Sequence, residues 1–380
     1  MLNLKDRISN SAFVFRGYNV TNLGRCPELL AHAAYGPIVE SYLHEASAVC
    51  CDVLSRKVDL VRRIEQRSEP SLDQYAEAVA IIVAISQAQL KLLGEFFGIE
   101  YAKARLGFGY SLGEISALIA GGVMDMHSGL RVPLVLSDDS AALAHDVTLG
   151  VLFSRGPALD AEAAYKLCLR INAEGHGVIG ISSYLSPNSL LLMGQKNTVD
   201  RFRDLMPDAL PQKLYLRKND SHWPPMHTPI VWQRNIPNRS AVMMHTLPFS
   251  STGPRPAVLS LVTGKISYND YNARDLLARW ADHPQRLWDA VSETLSMGID
   301  TIVHVGPEPN LVPATFKRLA DNVTTQLAAK SWEGVGLRAV SRAVRRPWLA
   351  KLLPTRSSLL RAPFVQQINL EDWLLEQNVG

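Results

Sequence analysis

The sequence predicts an α/β protein in which a large domain carries a smaller α+β unit inserted near its middle. Three observations point there. A short strand candidate at 104–109 passes through a glycine-flanked turn into a helical period from Glu114 to Ala120, the strand–turn–helix signature of an α/β sheet. The pattern changes between about 147 and 215, where short apolar runs alternate with two short helical stretches. The chain has 380 residues, more than one small core needs, which favours a domain with an insertion or two domains.

In chain order, SAFVF (11–15) predicts a short buried strand, followed by turn-like Arg16, Gly17, Tyr18 and Asn19. Residues 72–97 predict a long helix, apolar over much of its surface. The inserted unit reads as GVLFS, a polar helix at 161–172, GVIGISS, SLLLMG, a helix from Thr198 to Met206, and KLYL. PAVLSLV (256–262) and TIVHVGP (301–307) predict strands, 273–297 predicts a helix, and LEDWLLEQ near the end predicts an amphipathic helix. The expected boundaries are 1–146 with 216–330 for the large domain, 147–215 for the small one, and a basic extension over 331–380.

Composition narrows the function class. Apolar residues are 47% and charged residues 20% of the chain, the balance of a soluble globular enzyme. A net charge of +3 does not argue for nucleic acid. Cys26, Cys50, Cys51 and Cys168 have neither metal-type nor redox-type spacing, and two are adjacent, so a reducing compartment is expected. MLNLKDRISN carries charges where a signal peptide needs an apolar core, and the longest clean apolar run, Ala78–Ile85, is too short to span a bilayer. A cytoplasmic monomer, without a membrane or nucleic-acid partner, is the expectation. Arg338, Arg342, Arg345, Arg346, Lys351, Arg356 and Arg361 lie in a stretch without acids, predicting either a solvated helix face or a docking surface for an acidic protein or an anionic membrane.

The segment that carries chemistry is Gly109-Tyr110-Ser111-Leu112-Gly113, a G-x-S-x-G turn. Its glycines let two backbones pass closely, which exposes the serine hydroxyl, and the following helix N-terminus favours a developing oxyanion. A free serine hydroxyl is a poor nucleophile and needs a base. Ten histidines are available. Gly107, Gly109 and Leu112 miss the third glycine of a dinucleotide-binding G-x-G-x-x-G.

The longer string GYSLGEISALIAGGV (109–123) closely resembles the nucleophile segment of malonyl-CoA:acyl-carrier-protein transacylases and polyketide-synthase acyltransferase domains. AFVFRGYN (12–19), MHTPIV (226–231), SLVTGK (260–265), RWADHPQRLW (279–288) and HVGPEPNLV (304–312) resemble further landmarks of that family in its own order, over roughly residues 10–325. The resemblance implies an α/β-hydrolase-like large domain and a ferredoxin-like small one. It implies Ser111 as nucleophile and His227 as base, with His222 the rival. It also implies the Trp280 backbone carbonyl as the group orienting the histidine, and the amides of Leu112 and Tyr18 as the oxyanion hole. The implied reaction moves an acyl group from a thioester, acyl-CoA or acyl carrier protein, through an acyl-Ser111 ester to a carrier protein in fatty acid or polyketide biosynthesis. No metal or redox cofactor is required.

Several positions depart from the family pattern. Malonyl-selective members hold the free carboxylate with an arginine about 25 residues after the serine. That position is Leu136 here, and no arginine occurs from 132 to 154. Arg131 is five residues off, about 140° round a helix. Asp138 and Asp139 would repel a carboxylate. Met226 stands where an aromatic is frequent, Tyr110 where histidine is common, and Tyr18 where glutamine is usual. With Leu136, Met226 and Tyr110 expected in the acyl pocket, the expected acyl group is a monocarboxylic one, acetyl or longer, and not malonyl. An acyl hydrolase that strips carrier proteins and a non-catalytic docking component of a synthase complex are the alternative readings.

Overall fold

The computed structural model describes residues 4–155, 158–210, 212–328 and 355–379. Among them, ten strands form two sheets: β1 (Ser11–Phe15), β2 (Leu106–Gly109), β3 (Val147–Phe153), β4 (Ile179–Ser186), β5 (Ser189–Gln195), β6 (Tyr215–Asn219), β7 (Val258–Ser260), β8 (Lys265–Ile266), β9 (Thr301–Val305) and β10 (Gln366–Asn369). The large sheet runs β10-β9-β1-β2-β7-β8, parallel except for β8. The small sheet runs β4-β5-β3-β6 and is antiparallel throughout. The architecture is a large α/β domain with an inserted ferredoxin-like one.

Helices cover both faces of the large sheet, so its central strand β1 is buried at all five positions and needs no polar alternation. Phe13 and Phe15 enter one core with the helix Tyr75–Phe97, while Ala12 and Val14 enter the other with Leu287 and Val291. The helix Tyr75–Phe97 is long and apolar enough to cross a membrane by composition, yet it is a core helix here, with 89% of its apolar window buried in the protein.

The small domain is β3, helix Ala161–Asn172, β4, β5, helix Thr198–Ala209, β6. The continuous run SLLLM in β5 serves two cores by its period of two. Leu190 and Leu192 pack under the helices with Phe202, and Leu191 and Met193 point to the large domain.

Three sequence expectations need correction. The helix expected over 273–297 is two, Ala273–Trp280 and Leu287–Ser296, because Pro284 cannot continue a helical hydrogen-bond ladder. The small domain does not end at 215, since β6 continues to Asn219. The described part of 331–380 is not an appendage. β10 pairs with β9, and Leu370 and Leu374 of the terminal helix are fully buried. Glu371 of that helix accepts the amides of Arg25 (3.1 Å) and Glu308 (2.8 Å). Arg361 lies on neither a solvated nor a docking surface: it is 3% exposed and donates to the carbonyls of Leu295 and Gly298, both at 2.8 Å, at the end of a helix. Arg338, Arg342, Arg345, Arg346 and Lys351 lie outside the described residues.

Because the terminal helix fills the core, Leu374→Ala is expected to destabilise the protein by about 2–5 kcal/mol. Chemical denaturation checks this, and a change within 0.5 kcal/mol would place Leu374 outside the cooperative core.

Candidate active site

The elbow between β2 and the helix Leu112–Ala120 leaves no room for a side chain at either flanking glycine. A Cβ on Gly109 would sit 1.9 Å from the Gly113 carbonyl carbon, and one on Gly113 would sit 2.2 Å from the Phe15 oxygen. Ser111 itself has φ 54° and ψ −117°, a backbone state that non-glycine residues rarely adopt. It stands at the N-cap of the following helix, so the Leu112 amide is the first of that helix and has no intrahelical acceptor.

Ser111 Oγ lies 2.7 Å from His227 Nε2. His227 Nδ1 lies 2.7 Å from the Trp280 carbonyl, which can only accept, so Nδ1 carries the proton and Nε2 is left as the acceptor for the hydroxyl. Burial pushes the imidazole down to about 4, against upward contributions from the Trp280 carbonyl and Asp282, so the ring is neutral at pH 7. The ring stands edge-on to Trp280, with centroids 5.5 Å apart. His222 is exposed, its Nδ1 3.4 Å from the Val147 carbonyl.

The break between Trp280 and Leu287 brings in groups that sequence reasoning missed. Gln285 is fully buried, and its Oε1 accepts the Ser111 amide at 3.0 Å. Its backbone and that of β4 are stitched together, with the Gln285 amide on Ser182 O at 2.8 Å and the Tyr184 amide on Gln285 O at 2.9 Å. The Trp280 indole donates to the Ser111 carbonyl at 2.9 Å, and the His227 amide donates to Ala281 O at 2.7 Å. Both members of the serine–histidine pair are therefore held by the same short segment. The available signal was Pro284, which marks a break in an otherwise helical pattern.

A cavity of about 370 Å³ opens on Ser111 and His227. Leu149, Leu191 and Met193 of the small sheet line it, as do Leu311 and Val312. Tyr18, also in the lining, packs edge-on against Tyr75 (4.8 Å) and Trp223 (6.0 Å). Met226 and Tyr110 also line it, and burial raises the Tyr110 phenol to about 12. His304 faces the cavity with Nε2 3.1 Å from Gln367 Oε1, and burial holds its imidazole at about 4. Among the described residues, no group of three or more His, Cys, Asp or Glu is placed to hold a metal.

Leu136 is not part of this lining, contrary to expectation. It is buried a layer behind, where its carbonyl accepts Ser140 Oγ (2.7 Å), itself 3.5 Å from Met226 Sδ. The two aspartates do not confront the cavity either. Asp139 pairs with Arg234 at 3.7 Å and with Arg239. Arg131 pairs with Asp52 at 2.5 Å, away from the lining. The one lysine or arginine among the described lining residues is Arg16, whose contacts all go to neutral oxygens.

With His227 neutral above about pH 4, the rate at which a fluorophosphonate labels Ser111 should be flat from about pH 5.5 to 8 and decline only toward 4. A profile titrating near 6.5 would contradict the burial account. Linkage acts in the same window. His227 and His304 are lowered from 6.5 to about 4, so the unfolded chain binds more protons between these values. Their contribution to stability is complete above about 6.5 and is lost as pH falls toward 4, a trend that denaturant midpoints at stepped pH will reveal.

No family model matches the chain. The malonyl CoA-acyl carrier protein transacylase of Salmonella typhimurium is 26% identical over 318 residues, covering 82% of this chain and 94% of the relative. The polyketide synthase GfsA of Streptomyces halstedii is 24% identical over 206 residues, 53% of this chain and 2% of that protein. Among solved structures, the malonyl-CoA:acyl carrier protein transacylase of Xanthomonas oryzae superposes with a TM-score of 0.64 at 23% identity, over 82% of this chain and 91% of that one. FabD of Acinetobacter baumannii superposes with a TM-score of 0.65 at 18% identity, over 97% and 98%. Sequence similarity over most of both lengths and a shared two-domain fold make this chain a relative of the malonyl-CoA:acyl-carrier-protein transacylases.

Proposed function

We propose that the protein is an acyltransferase that moves an acyl group from a thioester to an acyl carrier protein through an ester on Ser111, in fatty acid or polyketide biosynthesis in the cytoplasm. The observation that carries this reading is the 2.7 Å contact between Ser111 Oγ and a neutral His227 whose Nδ1 proton is held by the Trp280 carbonyl. A buried backbone carbonyl does for the ring what a carboxylate does in a triad, selecting the tautomer, without adding charge.

In the first half-reaction, Ser111 Oγ attacks the thioester carbonyl carbon as Nε2 takes its proton. The carbonyl oxygen becomes an oxyanion, held by the amide of Leu112 at the head of the helix and that of Tyr18 in the loop after β1. The C–S bond then breaks, and the thiolate leaves with the proton from His227. In the second half-reaction, the pantetheine thiol of the carrier protein gives its proton to Nε2, attacks the ester carbonyl, and releases Ser111 Oγ, which recovers the proton. The sequence is redox-neutral and invokes no resident cofactor.

The lining supports a monocarboxylic acyl group. A malonyl carboxylate entering this cavity would meet Leu149, Leu191, Met193, Trp223 and Met226, and no unengaged cation. Burying a charge without a partner costs several kcal/mol, more than the rest of a short acyl chain recovers. The intact serine–histidine geometry weighs against an idle docking component.

Intact-mass analysis after incubation with acetyl-, butyryl-, octanoyl- and malonyl-CoA tests both parts. A monoacyl mass shift that is lost in Ser111→Ala and slowed about 10²–10⁴-fold in His227→Ala is expected. Preferential malonyl loading would overturn the donor assignment. Release of the acyl group to water faster than to a carrier thiol would favour a hydrolase.

A further inference from the structure

Arg16 is 4% exposed, and each of its donors is engaged. Nε donates to the Gly17 carbonyl at 2.8 Å. One terminal nitrogen donates to the carbonyls of Pro307 and Glu308, the latter at 3.3 Å. The other donates to the Thr21 carbonyl at 3.2 Å and to Asn22 Oδ1 at 2.9 Å. Every acceptor is neutral, and among the described residues Arg16 forms no ion pair. Glu308, Glu371 and Glu69 act on it only as more distant charges, and burial lowers it to about 10, so it is cationic at neutral pH. Burying a cation without a touching carboxylate is costly and calls for a reason.

The Gly17 bond supplies one. In a trans peptide, C=O and N–H point in opposite directions, so fixing the carbonyl fixes the amide of the next residue. The Gly17 carbonyl is turned toward the guanidinium, which turns the Tyr18 N–H away from it. Among the described residues, that N–H has no acceptor within the protein, and Tyr18 lines the cavity. Gly17 itself packs on the elbow: a Cβ there would lie 2.6 Å from Tyr110 O and 3.4 Å from Ser111 Cβ. The loop is braced from below, because Asn22 Oδ1 also accepts the Asn19 amide (3.0 Å) and Glu69 accepts the Asn22 amide (2.5 Å).

We infer that Arg16 is a positioning residue for the oxyanion hole: its Nε–H clamps the Gly17–Tyr18 peptide so that the Tyr18 amide faces the Ser111 elbow, with a guanidinium that no carboxylate touches behind that peptide. The assignment rests on the acyl-Ser111 reading for its purpose. Its test uses a probe that needs no acyl chemistry. An alkyl boronic acid accepts the Ser111 oxygen at boron and becomes a tetrahedral anion, a mimic of the oxyanion state.

Arg16→Met is expected to lower the rate of Ser111 acylation about 10²-fold with the thioester KM changed less than threefold, and to weaken boronate binding in proportion. Arg16→Lys keeps the charge but loses the planar fork, and should recover part of both losses. Binding of an uncharged amide analogue of the thioester should not change. A loss shared equally by kcat, KM and the amide analogue would reduce Arg16 to a structural strap and overturn the inference. Unchanged kcat and unchanged boronate affinity would do the same. If neither variant folds, the ¹⁵N-labelled wild-type protein still decides: the Tyr18 amide proton should move downfield with that of Leu112 on boronate adduct formation, and an unmoved Tyr18 signal overturns the assignment. Failure of all thioesters to load Ser111, with the boronate effects intact, would sink the proposed function and leave the Arg16 assignment standing.

Discussion

A serine held at positive φ between two glycines is the constraint from which the rest of the site follows. Holding such a residue in that conformation costs on the order of 1–3 kcal/mol, so the surroundings must over-determine it. They do so from several directions. The Tyr110 amide is tied to Phe15 O at 3.1 Å, which locks the elbow to the central strand. The Ser111 amide goes to Gln285 Oε1, and its carbonyl receives both the Trp280 indole and the Glu114 amide. Glu114 extends the anchoring, with its carboxyl on Tyr268 Oη (2.6 Å) and the Leu261 amide (3.0 Å) just past β7. The strain thus aims one hydroxyl outward while every backbone group behind it is satisfied.

The second member of the pair depends on the same segment. His227 has φ 68°, and its amide and Nδ1 both end on carbonyls of 280–281. A helix that stopped one turn later would consume those carbonyls in its own ladder. The break at Pro284 releases them, and Gln285 then bridges the small-domain strand β4 to the Ser111 amide. A shift of the small domain against the large one is therefore felt at the elbow through the buried Gln285 side chain.

Charge in the site is arranged so that little of it faces the cavity. The imidazole is neutral through burial, the aspartates near Leu136 are turned away or paired with arginine, and the buried guanidinium of Arg16 spends its donors on neutral oxygens. An apolar chamber with preset dipoles at one end favours a state in which charge appears only transiently on a carbonyl oxygen.

The sequence by itself determined what depends on neighbours along the chain. The glycine spacing located the elbow at Ser111, the change in apolar period located the small domain, and the all-apolar SAFVF marked the central strand. Tertiary structure alone decided what depends on contacts between distant residues. Gln285 meets Ser111 across a separation of 174 residues, and no periodicity reports such a meeting. Leu136 sits behind the cavity because the helix it caps turns its side chain into the core, which a residue count from the serine could not foresee. QQIN in β10 has no strand-like apolar alternation, and it pairs because β9 offers it an open edge. Arg16 looked like a turn residue; its burial arises because the turn after β9 closes over it with carbonyls from Pro307 and Glu308. Local pattern specifies which face of an element is apolar, whereas the partner that meets a given polar atom is chosen only when the elements pack.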